Sequence, residues 1–346
     1  MEESLRRLDP VLSVRRLGAP PWPTIDPFLF CVHHVDHYPA GNDALGPAAS
    51  LAGRELGMDF AGKDGWRMYH GRTVPGFPQH PHRGFETITI ARRGYIDHAD
   101  SLGATARFGA GDVQWMTAGA GIVHAEMFPL LNRSEPNPAE LFQIWLNLPA
   151  KSKMVDPHFT MLWREQIAGA VVESAGGRTC FRYIAGAPSR EQVAPPPDSW
   201  ASDPQSELVV WTASFEDGAS ARLPPVSSGV RRVIYVVEGE VQVGEAQVGE
   251  IRASAPSMME VWEGELDVRA GAAGAEILVL GGRPIAEPVV QHGPFVMNTA
   301  DEIRQAMVDY QRTGFGGWPW PASDPVHDRD AGRFAVHQDG RREEPS

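Results

Sequence analysis

The sequence predicts an all-β protein with two sandwich or barrel domains in tandem and a short helix near the C-terminus. The first observation is a series of short β-patterned runs in residues 77–127, separated by glycine turns at the spacing typical of sandwiches and barrels. The second is a similar series over 207–282, which faintly repeats the first. The third is helical spacing of apolar residues only near the end, over 300–313.

The first series begins after a proline-rich segment and a predicted strand at 28–32. Residues 86–90 alternate and are rich in β-branched side chains, which predicts a strand that ends at Gly94. Further strands are predicted at 95–96, 113–116 and 122–124, with turns at Gly103, Gly109 and Gly111. Residues 140–148 also alternate and predict one more strand.

The second series echoes the first, with 233–240 resembling 88–95 and 249–251 resembling 111–113. No histidine lies between His158 and His292. The second domain therefore cannot repeat a histidine-based site, and we expect it to be structural or to provide a binding surface.

The predicted helix over 300–313 has a start signal, an apolar face and a stop signal. Thr299 or Asp301 can cap its N-terminus, and Gly314 can end it. One face carries the apolar residues Ile303, Ala306, Met307 and Tyr310.

Two short motifs bracket the first series and predict a metal site. Side chains at i and i+2 of a strand share a face, so His80 and His82 project together, and so do His124 and Glu126. If the two strands are close, three imidazoles and one carboxylate converge. Such a mixed nitrogen and oxygen site suits a divalent first-row metal with open coordination positions, above all non-haem Fe(II), with other divalent transition metals left open.

The same stretch resembles the signature of pirins, a family within the cupin superfamily. The resemblance lies in HPHRGFET at 80–87, GDVQWMTAG at 111–119 and GIVHAEM at 121–127. QIWLNLPAKSKM at 143–154 and EPVVQHGPFVMNT at 287–299 agree with it. The resemblance implies two tandem cupin domains, a metal-binding one at 1–165 and one without metal at 166–300. It also implies that the helix and tail at 301–346 pack back on the first domain.

The pirin resemblance favours Glu126 as the fourth ligand, whereas the general cupin pattern places a glutamate at Glu86. Geometry agrees with Glu126, because it shares a face with His124. Glu86 is then expected near the site, paired with Arg83. Other candidate pocket residues, each of which could instead fill the core, are Phe77, Trp115, Met116, Gln143 and Trp145.

A second histidine group lies at His33, His34 and His37, beside Asp36. These side chains could form another metal site, but a non-metal role is the simpler interpretation. The following segment, about 40–70, is rich in glycine and alanine without clear periodicity. We predict that it is an insertion relative to the pirin pattern, placed over the mouth of the pocket.

Three functions are considered for this chain, and the pirin resemblance implies the first two. The first is an Fe(II) dioxygenase like quercetin 2,3-dioxygenase, with a flavonol and O₂ as substrates and Glu126 as general base. The second is a regulator that binds protein partners according to the oxidation state of its iron. The third is a structural protein with a vestigial metal. The sequence contains no nucleophile elbow, phosphate loop or dinucleotide fingerprint that would favour another enzyme class.

Composition and sequence patterns also argue against several other classes of protein. The 346-residue chain is 42% hydrophobic with a net charge of −13, which argues against direct nucleic-acid binding. No apolar run approaches the length of a membrane span, and the N-terminus lacks the apolar core of a signal peptide. Its only cysteines, Cys31 and Cys180, do not suggest a disulfide scaffold. We therefore expect a cytoplasmic protein.

Overall fold

The computed structural model describes residues 11–188, 193–245, 249–261 and 263–345. Strands up to residue 185 are β1 (Val11–Arg16), β2 (Phe28–Tyr38), β3 (Gly76–His82), β4 (Phe85–Arg93), β5 (Tyr95–Asp100), β6 (Thr105–Gly109), β7 (Val113–Thr117), β8 (Ile122–Met127), β9 (Asn137–Asn147), β10 (His158–Leu162), β11 (Ala168–Ser174) and β12 (Gly177–Ala185). Later strands are β13 (Val209–Phe215), β14 (Ser220–Leu223), β15 (Arg231–Glu245), β16 (Gly249–Ser254), β17 (Ser257–Val261), β18 (Leu266–Gly282), β19 (Val290–His292), β20 (Phe295–Met297), β21 (Phe334–Val336) and β22 (Arg342–Glu343).

The described residues contain one α-helix, α1 (Ala300–Thr313). They also contain 3₁₀ turns at Lys63–Gly65, Ala150–Ser152, Trp200–Ser202, Pro204–Ser206 and Gly314–Gly316. The prediction of an all-β chain with one short C-terminal helix is confirmed. No helix of the described chain combines the length and the apolar character that crossing a bilayer requires.

The chain divides into two compact units. One, here called the histidine-free unit, joins the described residues up to Leu29 with Gln166–Ala286. The other, the histidine-containing unit, joins Phe30–Glu165 with the described residues from Glu287 onward.

This division differs from the predicted domain boundaries at two places, and strand pairing explains both. Residues before 30 were predicted in the first domain, but β1 pairs antiparallel with β17 in the histidine-free unit. Residues 287–300 were predicted in the second domain. The amide of Val296 instead donates to the carbonyl of Arg83, directly after β3 in the histidine-containing unit.

The histidine-free unit is one nine-stranded sheet in the order β1-β17-β15-β18-β13-β12-β11, with β14 on β18 and β16 on β15. The long strands β15 and β18 bend where their register shifts, next to Gly239. Gly239 has φ +73°, and a Cβ there would lie 2.2 Å from the carbonyl oxygen of Gly274. Ile234 precedes the bend in β15 and Val243 follows it. Because of the bend, both side chains pack in one buried apolar cluster.

The histidine-containing unit has a five-stranded sheet, β10-β7-β4-β9-β2, and a six-stranded sheet, β22-β21-β6-β5-β8-β3. The strands β19 and β20 form a separate pair. Side chains from both larger sheets share one buried cluster, including Phe108, Met116, Ile122 and Phe159. The two sheets thus pack face to face, and the faces they enclose carry the predicted histidine motifs.

The C-terminal helix forms as predicted. Thr299 caps α1 in a capping box with Glu302, and Gly314 ends it in the left-handed conformation. Ile303 and Ala306 are buried with Phe295, and Met307 and Tyr310 pack against the same cluster.

Candidate metal centre

Strands β3 and β8 bring the three predicted imidazoles together. They pair antiparallel, with His80 opposite His124 and His82 opposite Ile122. The ring centroids of His80 and His124 lie 4.4 Å apart, those of His80 and His82 4.8 Å, and those of His82 and His124 4.9 Å. One nitrogen from each of the three rings lies within 4.8 Å of the others. This set is called the histidine cluster below.

The histidine cluster contains buried nitrogen atoms that a metal would satisfy. In the described residues, both ring nitrogens of His124 and Nδ1 of His82 are buried without a hydrogen-bond partner. A buried polar atom left unpaired costs roughly 1–3 kcal/mol, so such atoms call for an explanation. The donor set, three imidazoles from two adjacent strands, therefore fits a transition metal.

A backbone contact fixes the tautomer of His80. Its Nδ1 lies 2.9 Å from the carbonyl oxygen of Pro78, which can only accept, so Nδ1 carries the proton. Nε2 of His80 is left with its lone pair available for a metal. Hydrogen bonds of this kind orient histidine ligands in most protein metal sites.

Burial keeps the cluster in the form that binds metals. Burial lowers the pKa of His80 to about 4, and it lowers the pKa values of His82 and His124 well below their usual range. Neighbouring imidazoles lower the pKa values of His82 and His124 further. The three rings are therefore neutral near pH 7 and present lone pairs rather than charge.

Acid should destabilise the metal-free protein through the same groups. The unfolded chain takes up protons on these histidines near pH 6.5, their ordinary pKa, whereas the folded chain resists until about pH 4 at His80. This contribution to stability is complete above pH 6.5 and is lost as pH falls from there toward 4. We expect the Tm of metal-stripped protein to fall across this window. His124→Leu, which removes one such group, should show a smaller fall, and equal falls in both proteins would contradict the assignment.

Glu126 lies beside the cluster, on the same face of β8 as His124. Its Oε2 is 3.9 Å from Nε2 of His124. Oε2 also accepts a 2.7 Å hydrogen bond from the Gln143 amide, and Oε1 accepts one of 3.2 Å from the Thr89 hydroxyl. Burial raises the pKa of Glu126, while His98 and the two hydrogen bonds oppose the rise.

Glu86 lies on the other face of β4. Thr89 reaches Glu126, and side chains alternate along a strand, so Glu86 points away from the cluster. There Oε1 of Glu86 accepts a 2.7 Å hydrogen bond from the Thr117 hydroxyl. Arg83, its predicted partner, forms an ion pair with Asp309 at 2.9 Å.

Two further pocket candidates belong to the packed interior. Trp115 pairs with Ile88 and shares the face of Glu86, so it points away from the cluster. Met116 is fully buried among apolar side chains that include Phe108 and Phe159.

The other candidates do border the cluster. The ring centroids of Trp145 and His82 lie 5.5 Å apart. Those of Phe77 and His80 lie 6.4 Å apart, in an edge-to-face arrangement. Phe30 and Phe85, which sequence reasoning missed, pack on Trp145 at 4.7 and 4.2 Å. These four rings form an aromatic wall beside the cluster, and Gln143 and Thr89 are its polar neighbours through Glu126.

His98 and Asp100 also lie beside the cluster, and the sequence did not lead us to predict them there. On β5, His98 pairs with Glu126 and Asp100 with His124. Nε2 of His98 lies 3.1 Å from Oδ2 of Asp100, and its ring is 5.5 Å from that of His124. Both side chains are almost fully buried. The same i, i+2 rule, applied to His-Ala-Asp at 98–100, would have found them.

The second histidine group does not form a metal site. Nε2 of His33 bonds to Glu140 at 3.0 Å, and Nδ1 of His34 bonds to the Tyr69 hydroxyl at 2.8 Å. Over the described residues, the histidine cluster is the one group of three or more metal-ligating side chains that come together.

Comparisons with known proteins agree on one family. A family model described as Pirin matches residues 55–146, and one described as Pirin C-terminal cupin domain matches 210–316. A Pseudomonas aeruginosa protein whose name provisionally assigns it as a quercetin 2,3-dioxygenase is 35% identical over 240 residues, covering 69% of this chain and 79% of that protein. Pirin of Homo sapiens is 30% identical over 250 residues, covering 72% and 80%.

A solved structure extends the similarity to the fold. The crystal structure of quercetin 2,3-dioxygenase from Acinetobacter baumannii superposes with a TM-score of 0.66 at 29% identity, covering 84% of this chain and 86% of that one. The Pirin match begins at residue 55, so it includes the second half of the segment predicted as an insertion at 40–70.

Proposed function

Because this chain belongs to the pirin family of cupin proteins, we propose that it is a metal-dependent dioxygenase acting on flavonols. The cupin architecture predicted from the sequence is confirmed by the family match and the structural similarity. The names of two similar proteins, one from Pseudomonas aeruginosa and one from Acinetobacter baumannii, support the choice of reaction.

The observation that carries the proposal is the histidine cluster with Glu126 beside it and the aromatic rings of Phe77 and Trp145 next to it. We propose that His80, His82, His124 and Glu126 hold Fe(II). Three neutral imidazoles and one carboxylate would leave a net charge of +1 on such a site and about two octahedral positions open. When bound, the metal supplies those positions for the substrate oxygens and O₂, and lowers the pKa of a hydroxyl bound there.

Glu126 is the residue we propose to accept the substrate proton. A flavonol that chelates through its 3-hydroxyl and adjacent carbonyl must lose the hydroxyl proton, and the Glu126 carboxylate lies next to the cluster. Thr89 and Gln143 donate to different oxygens of this carboxylate and hold its plane.

The aromatic wall suits a flat aromatic substrate. Trp145 and Phe77 border different imidazoles, and both are only partly buried, so part of each ring remains accessible. A flavonol ring stacked against them would be oriented relative to Glu126 and shielded from water.

Steady-state oxygen uptake with quercetin tests the proposal. Iron-loaded protein should consume oxygen with the flavonol, and protein stripped of metal should not. Reloading with iron should restore the rate. Fully iron-loaded protein that consumes no oxygen with any flavonol would overturn the enzyme proposal. The regulator alternative would then be examined with a partner screen comparing ferrous and ferric protein.

A further inference from the structure

A polar side chain that the proposed chemistry does not use, His34, lies on β2 beside the aromatic wall. Phe30 of β2 stacks on Trp145, whereas His33 stacks on Phe142 at 4.4 Å. Phe142 and Trp145 lie on opposite faces of β9, because they are three residues apart. By the same alternation, His34 shares the face of Phe30 and Trp145, and His33 lies on the opposite face.

A hydrogen-bond chain fixes the tautomer of His34. The Tyr69 hydroxyl donates to Oδ2 of Asp36 at 2.6 Å, and Arg67 donates to Oδ1 at 3.1 Å. Burial raises the pKa of Asp36, and these two hydrogen bonds and the Arg67 charge oppose the rise. Tyr69 has only one hydroxyl proton, so Nδ1 of His34, 2.8 Å away, must donate to the Tyr69 oxygen. Nε2 of His34 is thereby left as a hydrogen-bond acceptor.

The Nε2 acceptor of His34 is open for a ligand. No partner for it lies in the part of the chain that the structure describes. Burial, assisted by the charges of Arg67 and His33, lowers the pKa of His34 to about 3, so the ring is neutral near pH 7. The residue as a whole is partly exposed to solvent.

One aromatic ring separates His34 from the histidine cluster. The centroid of its ring lies 5.9 Å from that of Phe77, and Phe77 in turn meets His80 at 6.4 Å. A flat molecule chelated at the cluster and lying over Phe77 would bring its far end to His34. The metal end and the far end of the substrate would then be recognised by different chemistry.

We propose that His34 determines substrate specificity by accepting, at Nε2, a hydrogen bond from a phenolic hydroxyl on the part of the flavonol remote from the metal. The inference rests on the proposed function, since it names a polar contact that a flavonol bound at the cluster would make. It predicts a preference for hydroxylated flavonols over 3-hydroxyflavone, whose single hydroxyl group is taken by the metal.

Anaerobic binding of quercetin and 3-hydroxyflavone to iron-loaded protein tests this inference without turnover. His34→Phe should weaken quercetin binding roughly tenfold, the scale of one hydrogen bond to a buried acceptor, and leave 3-hydroxyflavone unchanged. His33→Phe is the matched control, an adjacent histidine on the opposite face of β2, and should change neither affinity. Equal iron content and Tm values should accompany each measurement.

Tyr69→Phe provides a second measurement if His34→Phe does not fold. Without the hydroxyl, His34 is free to carry its proton on either nitrogen, so part of the preference for quercetin should be lost. An unchanged preference in the folded variants, or equal weakening of both flavonols, would overturn the role of His34 while leaving the proposed function intact. Wild-type protein that binds neither flavonol would overturn both.

Discussion

Replacing Glu126 with glutamine is expected to lower flavonol turnover by roughly 10²–10⁴-fold, the usual contribution of a general base. The neutral amide cannot take the proton of the substrate hydroxyl. The amide oxygen of the glutamine can still bind a metal weakly. It can also accept a hydrogen bond from Thr89 or Gln143, which both donate to Glu126 in the wild-type protein. Some of the iron should therefore remain. The measurement is oxygen uptake with quercetin, divided by the iron content of each preparation.

Glu86→Gln is the matched control for this change. Glu86 is a buried glutamate of the same unit, but it lies on the opposite face of β4 and bonds to Thr117. Its substitution should keep the iron and leave turnover within about tenfold of wild type, at most the effect of a supporting residue. An inactive Glu86→Gln beside an active Glu126→Gln would show that the carboxylates have been assigned the wrong way round.

Replacing His124 with alanine should all but abolish iron binding. His124 lies within 5 Å of both other rings of the cluster, and neither of its nitrogens has another partner among the described residues. Loss of a supporting residue around a metal lowers affinity by about 10–100-fold, so loss of a ligand should exceed about a hundredfold. His80→Ala should behave in the same way. Iron per chain, measured after dialysis against a weak chelator, reports the result.

His158→Ala is the control for this pair of changes. His158 belongs to the same unit, on β10, and its Nδ1 bonds to the carbonyl of Asp156. Its substitution should leave iron content at the wild-type level. Full iron content in both His80→Ala and His124→Ala would contradict the ligand assignment.

The convergence of the histidines could be predicted because it depends only on local geometry. The two-residue period of a strand places His80 with His82 and His124 with Glu126, whatever surrounds them. Only the pairing of β3 with β8 had to be assumed, and the structure provides it. The helix α1 was predictable for a similar reason, since its capping box and its stop lie within its own sequence.

The direction of a side chain that follows a turn between two strands was not predictable. The general cupin pattern placed Glu86 near the site, but β3 ends at His82 and β4 begins at Phe85. Between them Gly84 has φ +85°, and a Cβ there would lie 2.0 Å from the carbonyl oxygen of Val296. The chain turns at Gly84 and the alternation starts afresh, so Glu86 faces the other way.

Pairing between strands that lie far apart in the sequence could not be predicted either. β1 joins β17 across more than 200 residues, which no local pattern encodes, whereas the sequence placed all residues before 30 in the first domain. The aromatic wall also depends on such pairing. Phe30 meets Trp145 because β2 extends the sheet beside β9, and neither residue carries a sequence signal for this contact.

The fate of labelled oxygen tests the central claim most directly. Iron-loaded protein is supplied with quercetin under ¹⁸O₂, and the mass of the product is compared with that formed under ordinary oxygen. A flavonol dioxygenase transfers both oxygen atoms to its product, and the His124→Ala protein should form none of it. Product that carries a single labelled atom or none, or equal labelled product from the two proteins, would contradict dioxygenation at this metal centre.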